Sequence, residues 1–356
     1  MSSDADKGNS GTRPVAENQK FDVPALEHWL AANVEDFAGP LTIEQFKGGQ
    51  SNPTFKLITP SRIYVMRAKP GPAAKLLPSA HAIEREFAVM KAMAGSGVPV
   101  AKMYALCADE AVIGRAFFIM EFVEGRVLWD PALPGFSNDE RMRIFAEMNR
   151  VIAALHSVDY AAIGLAEFGK PGNYFERQIT RWTKQYRASE TEKIPAMDAL
   201  IDWLPSHIPA GDESTIVHGD YRLDNLIWHP TESRVLAVLD WELSTLGHPL
   251  ADFAYHCMVW VMPPGPARGL AGVKLDELGI PNIRKYTEMY CERTGRPGIP
   301  HMDFYLAYNL FRMAGILQGI AKRVVDGTAS SAQAIEMGKA APMVAALGWK
   351  LAEKMK

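Results

Sequence analysis

Two neighbouring stretches decide the fold: Val217-His218-Gly219-Asp220-Tyr221-Arg222-Leu223-Asp224-Asn225-Leu226-Ile227 and Val238-Leu239-Asp240-Trp241-Glu242. The first has the spacing H-x-D-x-x-x-x-N in a short loop, and the second is an apolar segment that ends in an aspartate. Residues 226–228 and 235–239 have the composition of two short strands. A hairpin of these strands would place Asn225 and Asp240 together.

Each residue type in this pattern suits phosphoryl transfer. A carboxylate beside an acceptor hydroxyl orients that hydroxyl and takes its proton, while an amide oxygen and a second carboxylate hold magnesium against nucleotide phosphates. We therefore predict that Asp220 is the catalytic base and that Asn225 and Asp240 are magnesium ligands. His218 is predicted to brace the loop.

Further motifs extend the pattern along the chain: Phe118-Ile119-Met120-Glu121-Phe122-Val123-Glu124-Gly125, Gly247-His248-Pro249-Leu250-Ala251-Asp252 and Gly279-Ile280-Pro281. With them, the sequence resembles the aminoglycoside phosphotransferase family, which has the fold of protein kinases. More narrowly, it is similar to the kinase-like domain fused to some acyl-CoA dehydrogenases. The resemblance runs from about residue 21 to the C-terminal helices. It implies an α+β, protein-kinase-like fold of two lobes and a phosphotransferase that uses ATP and Mg²⁺.

The resemblance also implies a nucleotide site in the N-terminal lobe. A glycine-rich flap over the phosphates would contain Gly48, Gly49, Gln50, Ser51 and Asn52, although an ordinary hairpin turn has the same composition. The hinge between the lobes would offer backbone groups of Glu121 and Val123 to a purine. In the catalytic loop, Arg222 stands where kinases often keep a cation that touches the transferred phosphate.

One position departs from the broader family. Kinases carry a lysine on the third strand, and here Tyr64-Val65-Met66-Arg67 places Arg67 there. Arginine keeps the charge and binds phosphate or carboxylate through two nitrogens, but it is longer and planar. The resemblance implies that Glu86, on the following helix, pairs with this cation. Lys69, two residues further along the strand, could partly substitute for Arg67.

Hydrophobic periodicity and turn residues divide the chain into three parts. We predict a disordered leader over residues 1–20, a nucleotide-binding lobe over 21–123 and a helical lobe with the catalytic loop and acceptor site over 124–356. The first lobe is predicted to contain a helix within 21–37, antiparallel strands at 41–46, 54–59 and 62–67, a helix at 82–94, and strands at 101–107 and 117–123. Ser137 is predicted to cap a long helix that ends near His156.

Composition limits the function classes. The 38 Lys and Arg against 41 Asp and Glu give 38 − 41 = −3, which argues against a nucleic-acid partner. Cys107, Cys257 and Cys291 lack the spacing of a zinc site or a disulfide framework, which favours a reducing compartment. No apolar run approaches the roughly 18 residues of a membrane span. We therefore expect a cytoplasmic protein with no membrane partner, and the sequence sets no oligomeric state.

Other functions remain open at this stage. Arg67 would also suit a nucleotide-binding pseudokinase with a regulatory or scaffold role, although Asp220, Asn225 and Asp240 are all retained. His218, Asp220, His229 and Asp240 could bind zinc or manganese in a metallohydrolase. For a phosphotransferase, a hydroxyacyl-CoA or another hydroxylated metabolite is favoured over an aminoglycoside as acceptor. The predicted acceptor region begins at residue 262 and includes the basic residues Arg268, Lys274, Arg284 and Lys285.

Overall fold

The structure is a computed structural model that describes residues 11–47, 52–71, 83–329 and 332–355. Its N-terminal part is built on an antiparallel sheet with the order β1-β2-β3-β4-β6-β5. The strands are β1 (Thr12–Arg13), β2 (Thr42–Phe46), β3 (Thr54–Ile58), β4 (Ile63–Ala68), β5 (Met103–Cys107) and β6 (Phe117–Glu121). Helices α1 (Val23–Asn33) and α2 (Ile83–Ala92) complete this part.

The sheet separates two apolar clusters, because successive side chains of a strand point to opposite faces. On β4, Tyr64 and Met66 pack in the cluster that contains α1, whereas Val65 packs in the cluster that contains α2. Arg67 continues this alternation and therefore faces α2. Its backbone lies opposite Thr54 of β3 and Phe118 of β6, in the middle of the sheet.

The C-terminal part is mostly helical. Its helices are α3 (Asn138–His156), α4 (Tyr174–Ser189), α5 (Pro195–Trp203), α6 (Pro249–Cys257), α7 (Leu275–Leu278), α8 (Ile283–Thr294), α9 (Met302–Val325), α10 (Ala332–Lys339) and α11 (Ala341–Glu353). The long helix α9 packs against α4, α6 and α11. In the described residues, no helix is long and apolar enough to cross a bilayer.

Short strands hold the segment between α5 and α6. Strand β9 (Leu226–Trp228) pairs with β10 (Val235–Val238) on one side and with β7 (Arg126–Val127) on the other. Strand β8 (Thr215–Val217) pairs with β11 (Thr245–Gly247). The predicted hairpin is thus confirmed. The last strand of the N-terminal sheet, β6, ends at Glu121, and β7 of the C-terminal part begins at Arg126. The predicted boundary between residues 123 and 124 lies between these two strands.

Most predicted elements of the N-terminal part are confirmed, with ends shifted by a few residues. The first helix begins at Val23 because the side chain of Asp22 accepts a hydrogen bond from the N–H of Ala25 at 2.9 Å. Ser137 caps α3 as predicted, and Glu140 returns a hydrogen bond to the Ser137 backbone. The α+β class follows directly from this arrangement.

The predicted disordered leader is corrected for residues 11–20, while residues 1–10 lie outside the described residues. Thr12 and Arg13 pair with Phe46 and Gln45 as an edge strand, and a 3₁₀ turn follows at Glu17–Gln19. The Thr12 hydroxyl also donates to Glu44 at 2.7 Å. The segment is ordered by backbone pairing and polar contacts, so its low apolar content was a misleading sign of disorder.

Candidate active site

The loop between β8 and β9, residues 218–225, is held by hydrogen bonds to Asp252 in the first half of α6. The backbone N–H groups of His218 and Gly219 each donate to one oxygen of the Asp252 carboxylate at 2.8 Å. Nε2 of His218 lies 2.8 Å from the carbonyl oxygen of Leu239, and Nδ1 accepts from the N–H of Asp220 at 3.2 Å. His218 therefore braces the loop, as predicted, and ties it to the strand that precedes Asp240.

Gly219 is required at its position for two reasons. Its φ is +83°, and a Cβ there would lie 3.0 Å from both Cβ and the carbonyl oxygen of Leu243. A left-handed backbone and a close backbone neighbour both favour glycine. The tight loop thus follows from the H-G-D sequence.

Replacing Asp252 with alanine is expected to destabilise the protein by on the order of 2–5 kcal/mol, because one buried and one partly buried N–H group lose their acceptor. Burial by itself raises the pKa of Asp252, yet hydrogen bonds from His156 and from the His218 backbone lower it, so the carboxylate is present as the charged acceptor. Urea unfolding measures the change. As a control, Glu288→Ala removes an exposed partner of Arg284 and should leave stability unchanged. An Asp252→Ala protein as stable as the wild type would contradict this role.

Asp220 projects from this loop with both carboxylate oxygens in contact with donors. The side-chain amide of Asn225 donates to Asp220 Oδ2 at 3.0 Å and to the Asp220 carbonyl at 2.8 Å. The Tyr255 hydroxyl donates to Oδ1, and Arg222 Nε lies 3.2 Å from the same oxygen. Asp220 is partly exposed, so a substrate can reach it.

The two predicted magnesium ligands are brought together by the hairpin. The N–H of Leu239 donates to the carbonyl of Asn225 at 2.8 Å, so Asp240 directly follows the residue that is hydrogen-bonded to Asn225. Because the Asn225 amide nitrogen is used by Asp220, its Oδ1 is the atom left for a cation. One amide oxygen and one carboxylate fit Mg²⁺, which takes one or two protein carboxylates and the substrate phosphates. Among the described residues, no group of three His, Cys, Asp or Glu side chains could hold a metal ion, which gives the metallohydrolase interpretation no support.

Arg67 joins the N-terminal sheet to this hairpin through three carboxylates. Its Nε lies 3.0 Å from Glu86 Oε2, and its Nη2 lies 2.9 Å from Asp240 Oδ1 and 3.5 Å from Glu242 Oε2. The predicted pairing with Glu86 is confirmed. Lys69 instead pairs with Glu84. Arg67 therefore forms the ion pair with the helix glutamate that the resemblance implies, and its contact with phosphate stays a prediction.

The charge of Glu86 is sensitive to pH. The pKa of Glu86 is raised from 4.5 to about 7 in total, because burial, the largest cause, and the nearby Asp240 and Glu242 outweigh the opposing effect of Arg67. Burial lowers the pKa of Arg67, but the carboxylates of Glu86, Asp240 and Glu242 raise it by more. The guanidinium therefore stays charged. The proton of Glu86 is thus the one that this cluster gains or loses near neutral pH.

Glu86 should make the stability of the protein fall as the pH rises. Since its pKa is higher in the folded than in the unfolded chain, its stabilising contribution is complete below about pH 4.5 and is lost as the pH approaches about 7. Relative to Glu86→Gln, the wild type is expected to lose on the order of 1–3 kcal/mol of unfolding free energy across this window. Urea unfolding of both proteins at several pH values measures the difference. A constant difference between them would contradict the raised pKa.

Arg222 lies along the outer side of the loop. Besides contacting Asp220, its Nη2 lies 3.0 Å from Asp224 Oδ2, and Arg268 Nη1 lies 2.7 Å from the same oxygen. Arg268 in turn lies 4.9 Å from the centre of the Trp129 ring. Burial lowers the pKa of Arg222, but the carboxylates of Asp220 and Asp224 raise it by more. A permanent positive charge thus borders Asp220.

Of the basic residues predicted for the acceptor region, Arg268 reaches the catalytic loop. Lys274 pairs with Glu277 and Arg284 pairs with Glu288, both at exposed positions. These two pairs are local to their helices and give the acceptor region no charge directed at Asp220.

The predicted nucleotide contacts of the N-terminal part are only partly described. Gly48, Gly49, Gln50 and Ser51 lie outside the described residues, and Asn52 is buried just before β3, where its carbonyl accepts from Thr54 Oγ1 at 3.2 Å. At the predicted hinge, the N–H of Glu121 already donates to the Lys102 carbonyl at 2.8 Å. Of the two backbone groups of Glu121, this leaves the carbonyl for a purine. Val123 follows the end of β6 and is partly exposed. The nucleotide-binding roles of these residues stay predictions.

Two residues at the site were missed by sequence reasoning, Tyr255 and Arg312. Tyr255 contacts Asp220, and Arg312 Nη2 donates to the Gly219 carbonyl at 3.1 Å. A signal for Tyr255 was available, because it follows Asp252 by three positions and so shares its helix face. Arg312 lies 93 positions from Gly219, and no local pattern links the two.

Comparison with known proteins gives matches over most of the chain. A sequence profile described as "Phosphotransferase enzyme family" matches residues 42–288. Acyl-CoA dehydrogenase family member 10 of Mus musculus is 48% identical over 98% of the chain, and acyl-CoA dehydrogenase family member 11 of Mus musculus is 41% identical over 97%. The chain covers 33% and 45% of these two relatives, so it spans less than half the length of each.

Solved structures give the same fold. A putative aminoglycoside phosphotransferase from Ralstonia eutropha is 65% identical, with a TM-score of 0.89 over 94% of this chain and 99% of that one. A thermostable mutant of an aminoglycoside phosphotransferase, solved in a ternary complex with AMP-PNP and hygromycin B, is 16% identical, with a TM-score of 0.62 over 92% of this chain and 98% of that one. At such low identity the second likeness bears on the fold alone. The predicted kinase-like fold is confirmed.

Proposed function

The chain belongs to the phosphotransferase enzyme family, and we propose that it transfers the γ-phosphate of ATP to a hydroxyl group of a small molecule in a Mg²⁺-dependent reaction. The observation that carries this proposal is the position of Asn225. Its side-chain nitrogen donates to Asp220, and its backbone carbonyl accepts from Leu239, the residue before Asp240, so Asn225 links the segment of the proposed base to the segment of the second proposed metal ligand.

In this mechanism Asp220 orients the acceptor hydroxyl and takes its proton as the oxygen attacks the γ-phosphorus in line, while the bond to the bridging oxygen breaks and ADP leaves from the opposite side. Asn225 and Asp240 would hold Mg²⁺, which supplies charge neutralisation for the phosphate oxygens. Arg67, held in place by Glu86, would contact the phosphates from the sheet side. Arg222 would stabilise the negative charge that develops on the transferred group.

The acceptor is proposed to be a hydroxyacyl-CoA or another hydroxylated metabolite in preference to an aminoglycoside. Two observations support this choice. The curated relatives are named acyl-CoA dehydrogenases, and the guanidinium groups of Arg222, Arg268 and Arg312 surround the loop that carries Asp220. Arg222 and Arg268 are paired with Asp220 and Asp224, so what they offer an anionic acceptor is charged hydrogen-bond donors beside the loop and not a net positive field.

The proposal is tested in two steps. A thermal-shift titration with ATP, with MgCl₂ or with EDTA, first measures whether nucleotide binding depends on the metal. ATP consumption is then measured against hydroxyacyl-CoAs, other hydroxylated metabolites and aminoglycosides, with mass spectrometry of the product. We expect metal-dependent binding and a phosphorylated hydroxyacyl or related product.

Two results would overturn the proposal. If ATP caused no shift of the melting temperature, with or without Mg²⁺, the proposed nucleotide site would be wrong. Metal-dependent binding with neither acceptor phosphorylation nor slow ATP hydrolysis would favour a nucleotide-binding pseudokinase with a regulatory or scaffold role.

A further inference from the structure

Helix α6 presents two side chains to the catalytic loop on one face. Asp252 holds the loop backbone through His218 and Gly219. One helical turn further on, the Tyr255 hydroxyl donates to Oδ1 of Asp220. The same rigid element therefore fixes both the backbone of the loop and the side chain that is proposed to act as base.

Tyr255 contacts Asp220 from a helix outside the catalytic loop. Asn225 and Arg222 belong to the loop itself, and the Arg222 side chain is 46% exposed. Tyr255 is buried on a helix whose residues Pro249–Cys257 are all buried. Burial and the neighbouring Asp220 raise the pKa of Tyr255, so its hydroxyl keeps the proton that it donates. Tyr255 is thus the contact through which the protein scaffold orients the carboxylate.

Arg312 of α9 lies beside the hydrogen bond between Tyr255 and Asp220 and contacts residues on both sides of it. Its guanidinium lies 5.3 Å from the centre of the Tyr255 ring and 5.7 Å from the centre of the Trp182 ring on α4. Its Nη2 donates to the carbonyl of Gly219, the residue before Asp220, at 3.1 Å. Arg312 therefore holds both the Tyr255 ring, through a cation–π contact, and the peptide that leads into Asp220.

We propose that Tyr255 and Arg312 are positioning residues for phosphoryl transfer, which hold the Asp220 carboxylate in the orientation that receives the proton of the acceptor. Between them, Asn225 on Oδ2 and Tyr255 on Oδ1 prevent the carboxylate from rotating about its Cβ–Cγ bond, because rotation would break both hydrogen bonds. This inference rests on the proposed function, in which Asp220 acts as the base.

The test compares Tyr255→Phe with the wild type in metal-dependent ATP hydrolysis and, once an acceptor is found, in acceptor phosphorylation. Loss of a hydrogen bond to a charged group should lower kcat about 10-fold or more. The KM for ATP and the ATP-induced thermal shift should stay within about 2-fold of the wild-type values, because Tyr255 is proposed to act on Asp220 and not on the nucleotide. Tyr186→Phe removes a hydroxyl from a buried tyrosine on α4 and is the matched control, with kcat unchanged.

Arg312→Met provides the second variant, should Tyr255→Phe fold poorly. It keeps an unbranched, apolar stem but removes the guanidinium, which is both the donor to Gly219 and the charge over the Tyr255 ring. It should also lower kcat with little change in KM for ATP. A wild-type kcat in Tyr255→Phe or, where that variant does not fold, in Arg312→Met would overturn the inference, provided that Asp220→Ala is inactive. If Asp220→Ala remained active, the base assignment itself would fail. Equal losses of kcat in Tyr255→Phe and Tyr186→Phe would mark a general structural effect and would also overturn it.

Discussion

Replacing Asp240 with alanine is expected to abolish Mg²⁺-dependent ATP binding and turnover. Asp240 is the one carboxylate of the proposed metal site, and Asn225, a neutral ligand, cannot hold the cation without it. The variant also frees Arg67 from one of its three carboxylate partners. Because the Asp240 side chain is 36% exposed, that loss should change stability little. Isothermal titration with ATP, in MgCl₂ or EDTA, and an ATP consumption assay measure the two effects.

A matched variant separates loss of the metal ligand from loss of nearby negative charge. Glu84→Ala removes an acidic side chain on α2 that pairs with Lys69 and contacts none of the proposed ligands. It should bind ATP with the same metal dependence as the wild type. If Asp240→Ala bound and consumed ATP like Glu84→Ala, Asp240 would not be a metal ligand and the proposed mechanism would have to be abandoned.

Arg67 was the feature that kept a pseudokinase interpretation open, and the structure bears on it. An arginine that pointed away from the cleft would have left Glu86 buried without a cation. Instead Arg67 pairs with Glu86 and also reaches Asp240, so the substitution of arginine for lysine preserves the ion pair between strand and helix. The remaining difference is geometric, since the guanidinium can engage several carboxylates at once.

The parts of the site that could be predicted are those that the chain encodes locally. Asp220 and Asn225 are five positions apart. The hairpin between Asn225 and Asp240 is indicated by two short apolar segments on either side of a polar turn. The capping serine Ser137 predicted the start of α3 in the same way. In each case the interacting residues are close in sequence, so spacing alone limits where they can lie.

The parts that could not be predicted depend on contacts between distant segments. Tyr255 lies 35 positions from Asp220, and Arg312 reaches Gly219 from a helix whose apolar pattern indicates only that it is buried. Strand β1 was missed for a different reason. An edge strand is held by backbone hydrogen bonds, which any residue can make, so the polar sequence around Thr12 carries no strand pattern.

Replacing Asp220 with alanine is expected to lower kcat by about 10³-fold, within the range that a general base contributes, while ATP and Mg²⁺ still bind. Nucleotide binding should persist because Asn225, Asp240 and Arg67 are retained, although Asn225 loses the carboxylate that fixes its amide. Asp220→Asn keeps the size of the side chain and one oxygen that can accept from Tyr255, but its amide nitrogen then faces the Asn225 donor and it cannot take a proton. We therefore expect Asp220→Asn to be as inactive as Asp220→Ala in an ATP consumption assay. Turnover within 10-fold of the wild type in either variant would show that phosphoryl transfer here proceeds without Asp220 as base.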